Sequence, residues 1–364
     1  MRFPMAATPL LLLLSLVVNH ATATTSASTA SSATTMTCSA PGKTLTFECD
    51  DQCASKYSPC WHNATLPATA AMCNYECYSI YYSDNSQTNF VFLVPYGAWK
   101  SAQQIASGDT TSDVVSITST TDDMGKYIFK SNDYLTSIDA LVLPSTVTTV
   151  SISGGSYFKS NIVKGRVSNV ELADDFLTKQ TNVQSVYFGN LNLEPMRKRF
   201  TTMLPLTIQE LDFNNGLLTT FPTDFAKFTT LQKLSLTNNY IKTVDASMAI
   251  DTISLLTVNL NNIVMFDAVF KNATLVALSG NNLTEFPSVF AQYPRLETLY
   301  LDHNNITVVE ESHAVESVKT LYLGMNQITK FNAVFPSLKW LDLQGNNLTE
   351  IPDAVFKHTN LTNL

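Results

Sequence analysis

The chain has 364 residues, with 30 acidic against 22 basic side chains, a formal charge of −8 and a pI near 5.1. An acidic chain repels the phosphates of nucleic acid and the surface of an anionic membrane, so neither is expected as a partner. Hydrophobic residues make up 45% of the sequence, which argues against global disorder and leaves room for two or three small domains or one long array.

Residues 1–23 have the form of a secretory signal. Arg2 supplies the positive start, the run LLLLLSLVV from Leu10 to Val18 is too short to span a bilayer, and Ala21-Thr22-Ala23 is a small-x-small cleavage site. Residues 24–37, TTSASTASSATTMT, are nearly all Ser, Thr and Ala and cannot bury a core, so they form a disordered leader suited to O-glycosylation.

A cysteine-rich module is expected over residues 38–89. All six cysteines lie there, at Cys38, Cys49, Cys53, Cys60, Cys73 and Cys77. An even number crowded behind an export signal is expected to form three disulfides, although six cysteines allow 15 connectivities. Cys49/Cys53 and Cys73/Cys77 are i,i+4 pairs, and on two antiparallel helices they would face each other. That geometry favours Cys49–Cys77, Cys53–Cys73 and Cys38–Cys60. Zinc held with the help of His62 is the rival reading.

Residues 90–207 are expected to hold a connecting segment and degenerate repeats. FVFLVPYGAW, residues 90–99, is the most strand-like run before the main body. Arg197-Lys198-Arg199 is the one basic cluster and is read as a solvated edge. Imperfect copies of a repeat start at Val147-Val150-Ile152, Val167-Val170-Leu172 and Val183-Val186-Phe188, with Gly155, Asp175 and Leu191 at their ninth positions. Asp174-Asp175 is then a bend pair, Asp175 substituting for Asn.

From residue 208 to 364 the pattern L-x-x-L-x-L-x-x-N-x-L becomes regular. Copies start at Ile208, Leu231, Ile253, Ala273, Leu296, Val318 and Leu338, and six of the seven carry Asn at the ninth position, Gly216 being the exception. Seven copies in tandem are strong evidence for a solenoid. The starts are separated by 23, 22, 20, 23, 22 and 20 residues, a triplet repeating every 65. Phe221-Pro222, Phe286-Pro287 and Ile351-Pro352 obey this period, as do FDAVF at 266–270 and FNAVF at 331–335. The next start falls at Leu361, so Leu361 and Leu364 read as positions one and four of an eighth copy that ends mid-repeat. Without a cap, the last coil would expose Leu338, Leu341, Leu343, Leu348 and Ile351. Half-burial of five such side chains forfeits roughly 4–8 kcal/mol.

Over about 138–364 the sequence resembles the leucine-rich repeat family. The resemblance implies an α/β-type solenoid: a horseshoe with a concave parallel β-sheet, here preceded by the small disulfide-rich module. Positions four and six of each copy face inward, the ninth-position Asn bonds backbone at the bend, and positions three, five and seven face the concave side. In the last copies these concave positions hold Thr298, Tyr300, Asp302, Thr320, Tyr322, Gly324, Trp340, Asp342 and Gln344. Earlier copies place Ser235, Thr257 and Ala277 there. Exposed aromatics beside carboxylates mark recognition surfaces, so Tyr300, Asp302, Tyr322, Trp340 and Asp342 are the candidate ligand-binding residues. Both carbohydrate faces and basic, partly apolar peptides suit such a patch.

No catalytic constellation is found: the five histidines are scattered, and there is no nucleophile elbow, phosphate loop or metal-spaced cluster. A non-enzyme without cofactor or metal is expected. Asn-x-Thr sequons occur at Asn63, Asn272, Asn282, Asn305, Asn347 and Asn360, none of the repeat-borne ones on the sheet, so glycans would leave the concave face free.

The order of signal, Ser/Thr-rich leader, clustered cysteines, VPYGAW and irregular repeats resembles the ectodomains of oomycete receptor-like kinases of the tyrosine-kinase-like group. That resemblance implies a membrane span and kinase beyond the residues present. The expectation is an extracellular binder of a protein, peptide or glycan, at the cell surface if it is a truncated receptor. A free secreted inhibitor, similar to plant inhibitors of wall-degrading enzymes, and a structural wall or adhesion protein are the alternatives. The cysteine reading predicts that unfolded, unreduced protein will show no reactive thiol on labelling; two or more labelled cysteines would exclude three disulfides.

Overall fold

The computed structural model describes residues 15–16, 43–46, 60–63, 75–77, 80–81, 86–93, 137–154, 164–165 and 167–364. Short strands at positions three to five of each copy stack into one ten-stranded sheet. In chain order its strands are Asn89–Leu93, Thr149–Ser153, Ser185–Gly189, Glu210–Asn214, Lys233–Ser235, Leu255–Thr257, Leu275–Ala277, Thr298–Tyr300, Thr320–Tyr322 and Trp340–Asp342. Every neighbouring pair is parallel, and residues at the same repeat position sit opposite each other, as in Tyr300↔Tyr322 and Tyr322↔Asp342. Positions four and six, among them Leu299, Leu301, Leu321 and Leu323, are buried in a single core that runs the length of the array.

Strand alternation explains that burial; the bends require more. Each ladder Asn satisfies backbone groups in two coils at once. Asn304 Nδ2 donates to Leu278 O of the preceding coil and Leu301 O of its own, both at 3.0 Å, while its Oδ1 accepts from Leu283 N at 3.1 Å. Asn261, Asn281, Asn326 and Asn346 repeat this set. One position earlier the chain turns with positive φ in all seven regular copies: Asn215, Asn238, Leu260, Gly280, His303, Met325 and Gly345, with φ between 54 and 70°.

Gly216 has no side-chain amide, and its neighbours make the bonds at this bend. A Cβ there would stand 2.9 Å from Leu193 Cδ1 and 3.2 Å from Asn239 Oδ1. Asn239 Oδ1 accepts from both Gly216 N and Leu218 N, and Asn215 is buried beside it, bonding Gly165 N and Asn190 Oδ1.

The 65-residue period is a property of the convex side. Coils with a 23-residue step carry five-residue 3-10 helices at Thr223–Lys227 and Ser288–Gln292, each preceded by proline at the N-cap. Coils with a 22-residue step carry Thr243–Val244 or Val308–Val309 followed by a short 3-10 turn. Coils with a 20-residue step keep only Met265–Phe266 or Lys330–Phe331, which pair in parallel with the strand of the coil before. Phe221–Phe270 and Phe286–Phe335, at 6.4 and 6.3 Å, repeat the same contact one period apart.

Several expectations need correction. Val167-Val170-Leu172 is not a sheet repeat: Ser185–Gly189 pairs directly with Thr149–Ser153, and Glu171–Leu172 pairs instead with Ser137–Ile138. Asp175 is not an Asn substitute. It is exposed and ion-paired to Lys179, while Asp174 pairs with Arg199. The sheet also continues unbroken across residue 208, so the degenerate and regular repeats share one core. Lys164 reaches across three coils to donate to Leu260 O at 2.6 Å, its ammonium lying 4.8 Å from the Tyr240 ring centre.

At the cysteine-rich end, Lys43–Thr46, Cys60–Asn63 and Tyr75–Cys77 form an antiparallel sheet, and Ala140–Val142 adds to it in parallel. Cys77 therefore ends a strand, opposite Cys60, and the helix pair behind Cys49–Cys77 does not form there. Cys60 is in a disulfide, so its sulfur is not a zinc ligand. Cys38, Cys49, Cys53 and Cys73 lie outside the described residues. Ser15–Leu16, inside the segment read as a signal, pairs antiparallel with Ile80–Tyr81.

At the other end an eighth copy does begin. Asn363 bridges Trp340, and Thr362 N and Asn363 N both donate to Lys339 O. The helix Asp353–Phe356 and buried His358, whose Nε2 accepts from Phe335 N at 3.0 Å, lie between. Leu338 and Leu341 are consequently buried, Leu343 and Leu348 are half-buried, and the exposed large apolar groups at this end are Trp340, Ile351, Phe356 and Leu364, at 41, 57, 73 and 67%.

Asn304→Ala is expected to destabilise by about 1–3 kcal/mol in urea unfolding, because Leu283 N loses its partner, while Leu278 O and Leu301 O each lose one donor and keep that of Asn281 or Asn326. Asn305→Gln, whose side chain bonds only Gln327, should change stability by less than about 0.5 kcal/mol. Equal losses would place the ladder one residue off.

Candidate functional site

Three of the five residues singled out on the concave side form a contiguous aromatic run. Tyr300 and Tyr322 hold the same position in adjacent strands. Their rings stack with centroids 4.6 Å apart and planes 4° from parallel, close to the ~4.8 Å strand spacing. Trp340 follows at 6.3 Å and 42° and is 41% exposed. Asp342 lies in register with Tyr322 on the far strand.

The carboxylates are oriented by neighbours. Asp302 Oδ1 accepts from Ser279 Oγ at 2.6 Å, and Oδ2 lies 3.0 Å from His303 Nδ1. Asp342 Oδ1 accepts from Gln344 N at 2.9 Å. Gly324 lies between them without a side chain: a Cβ there would come 2.9 Å from Asp342 Oδ2. Partial burial pushes the Tyr322 hydroxyl above its usual pKa, and Tyr300, Asp342 and Asp302 add to the shift in that order.

A second polar group occupies the concave side of the earlier coils. Tyr187, Asp212 and Ser235 stand in register at the fifth position of successive copies. Ser235 is the concave residue already read from the Leu231 copy; the same count from Val183 and Ile208 gives Tyr187 and Asp212. Asp212 Oδ1 and Asn214 Oδ1 are buried with no hydrogen-bond partner among the described residues. Burial raises Asp212 to about 6; the Ser235 hydroxyl opposes the shift, and the charge of Glu210 adds a little to it. Tyr187 is raised to about 12, by burial first and then by Glu210.

The sequon residues Asn272, Asn282, Asn347 and Asn360 are exposed and Asn305 is half-buried, all off the concave strands; the side chain of Asn63 lies outside the described residues. Among the described residues no His, Cys, Asp and Glu group is arranged to hold a metal ion, and no helix is long and apolar enough to cross a membrane.

A family model described as Leucine Rich Repeat matches residues 337–358. Over 143 residues the chain is 32% identical to human leucine-rich repeats and immunoglobulin-like domains protein 3, a match covering 36% of this chain and 13% of that protein. Over 95 residues it is 34% identical to the zebrafish (Danio rerio) transforming growth factor beta activator LRRC33, covering 26% and 13%. The chain thus spans only a small part of these relatives. The solved structure of a leucine-rich repeat protein from Leptospira interrogans superposes with a TM-score of 0.50 at 19% identity, over 60% of this chain and 54% of that one.

Asp212 generates a stability prediction. Its folded pKa, about 6, lies above the value of 3.8 for a free carboxyl, so the folded chain holds this proton more tightly, and the group adds stability as pH falls from 6 towards 4. Asp212→Asn should therefore stabilise by roughly 1–2 kcal/mol at pH 8, and the gain should vanish near pH 4. Urea unfolding of both proteins at the two pH values checks this; a gain that does not change with pH would contradict it.

Proposed function

We propose that this chain, whose fold is a leucine-rich repeat solenoid, is an extracellular binder. It takes a protein, peptide or glycan on its concave face, with Tyr300, Asp302, Tyr322, Trp340 and Asp342 making contact. The observation that carries this is the stacked pair Tyr300–Tyr322, continued by Trp340, on the solvent side of the sheet. A strand places these rings outward only because positions four and six already fill the core. Large aromatics held rigid and partly exposed are the usual anchors of recognition.

Extracellular placement is supported by the signal-like residues 1–23, the disulfide at Cys60 and the exposed sequons on the flanks. The zebrafish relative is by name an activator of transforming growth factor beta, in keeping with a role in binding proteins rather than in catalysis. A receptor ectodomain, or a fragment of one, agrees with the order of signal, cysteine-rich module and repeats.

The full chain applied to peptide and glycan arrays should give hits that Tyr322→Ala weakens by about 1–2 kcal/mol, measured as Kd on the isolated hits. Thr257→Ala, on the same face in a distant coil, should leave them unchanged. If Tyr300, Tyr322 and Trp340 can each be truncated without loss of affinity, the ligand binds elsewhere.

A further inference from the structure

We propose that this patch takes a basic side chain of a protein or peptide ligand, a guanidinium or ammonium group, rather than the face of a sugar ring. The inference rests on the concave-face reading above and narrows its ligand.

A sugar platform needs an aromatic ring with an open face. At 4.6 Å and 4°, Tyr300 and Tyr322 cover each other's inner faces. On the other side of Tyr300, in register, stands Ala277, which points to the concave side yet is only 4% exposed. Tyr300 is the large side chain in register beside it. What remains open is the edges and hydroxyls of the two tyrosines, the far side of Tyr322, and Trp340, inclined at 42°. Open ring faces are therefore confined to one side of Tyr322 and to Trp340.

Negative charge is the more prominent property. Asp302 and Asp342 flank Tyr322 from the coils on either side, and Gly324, having no side chain, makes room for the Asp342 carboxylate, whose Oδ2 lies 2.9 Å from where a Cβ would stand. Their hydrogen bonds come from a hydroxyl, a backbone N–H and a histidine, which leave acceptor positions on each carboxylate. Among the described residues no lysine or arginine forms an ion pair with either one; Lys319, on the coil between them, is paired to Glu297 at 2.7 Å. Both carboxylates also raise the Tyr322 hydroxyl, so their fields reach the ring rim. A planar guanidinium can donate to a carboxylate while lying against an aromatic ring, and an ammonium can do so as a point charge. A neutral sugar uses none of this field.

The test titrates the full chain, followed by Trp fluorescence and calorimetry, with three probes: a glycine pentapeptide carrying two arginines, the same peptide with citrulline in their place, and cellohexaose. The expected result is binding of the arginine peptide with at least about tenfold preference over the citrulline peptide. That binding should fall by at least about tenfold with Asp342→Asn, with Asp302→Asn and with Tyr322→Ala. If Asp302→Asn disturbs folding through Ser279 and His303, Asp342→Asn alone carries the test, with thermal unfolding as the control. Equal affinity for the citrulline peptide, or no binding of the arginine peptide at about 1 mM, overturns the proposal. Cellohexaose binding that Tyr322→Ala abolishes also overturns it while leaving the concave-face reading intact. Arginine-peptide binding indifferent to every patch substitution overturns both.

Discussion

The fold depends on one recurring interaction: a buried amide side chain that bonds the backbone of two coils at once. A tight bend after every strand points carbonyls into an apolar core where water cannot reach them, and each unpaired group there costs about 1–3 kcal/mol. Asn239, Asn261, Asn281, Asn304, Asn326 and Asn346 supply the missing donors. Because each links its own coil to the one before, the spacing between coils is set by hydrogen-bond length rather than by the volume of core side chains. That spacing then fixes how concave side chains meet. Tyr300 and Tyr322 stack at 4.6 Å because their strands are bonded at nearly that distance.

The two sides of the solenoid answer to different constraints. On the front, strand and bend demand the same few residues in every coil. On the back, the number of residues between bends decides what forms, and 23, 22 or 20 residues give a longer 3-10 helix, a strand with a short turn, or a strand alone. Phe221–Phe270 and Phe286–Phe335 span the intervening coil and tie the triplet together. The 65-residue period is thus a packing unit of the convex side. Concave positions are free to differ within it: Ser235 and Tyr300 sit one period apart at the same place on the sheet.

What could be read from the sequence follows the same division. The ladder, the inward positions and the concave row were legible because each is fixed by a residue type at a fixed offset. The start of a further copy at Leu361 was legible for the same reason. Errors arose where apolar spacing occurred without the bend. Val167, Val170 and Leu172 fill the core as a repeat would, yet nothing returns them to the sheet. Gly216 breaks the ladder pattern, and sequence does not show that its backbone N–H is taken up by Asn239 Oδ1 of the next coil. Leu338 and Leu341 were expected to lie open because the eleven residues from Asp353 to Asn363 carry too weak a pattern to show that they fold across the last coil. The unpartnered oxygens of Asp212 and Asn214 were invisible for a different reason: pairing is a three-dimensional count.

The concave face therefore carries two kinds of polar site on one rigid frame. Near Asp212 the strands are five residues long, and a carboxylate is buried deeply enough to hold its proton up to about 6. Near Asp342 the strands shorten to three residues, Trp340 is open to solvent, and the carboxylates remain partly accessible beside a glycine. Burial at the first site penalises charge, whereas exposure at the second lets charge be offered to a partner. Because the stacked tyrosines are already ordered by the strands beneath them, a ligand would not have to freeze their rotamers, a saving of roughly 0.5–1.5 kcal/mol for each side chain otherwise immobilised on binding. Preorganisation and accessible charge coincide at Tyr322, which is the reason to place recognition there rather than at the more deeply buried acid.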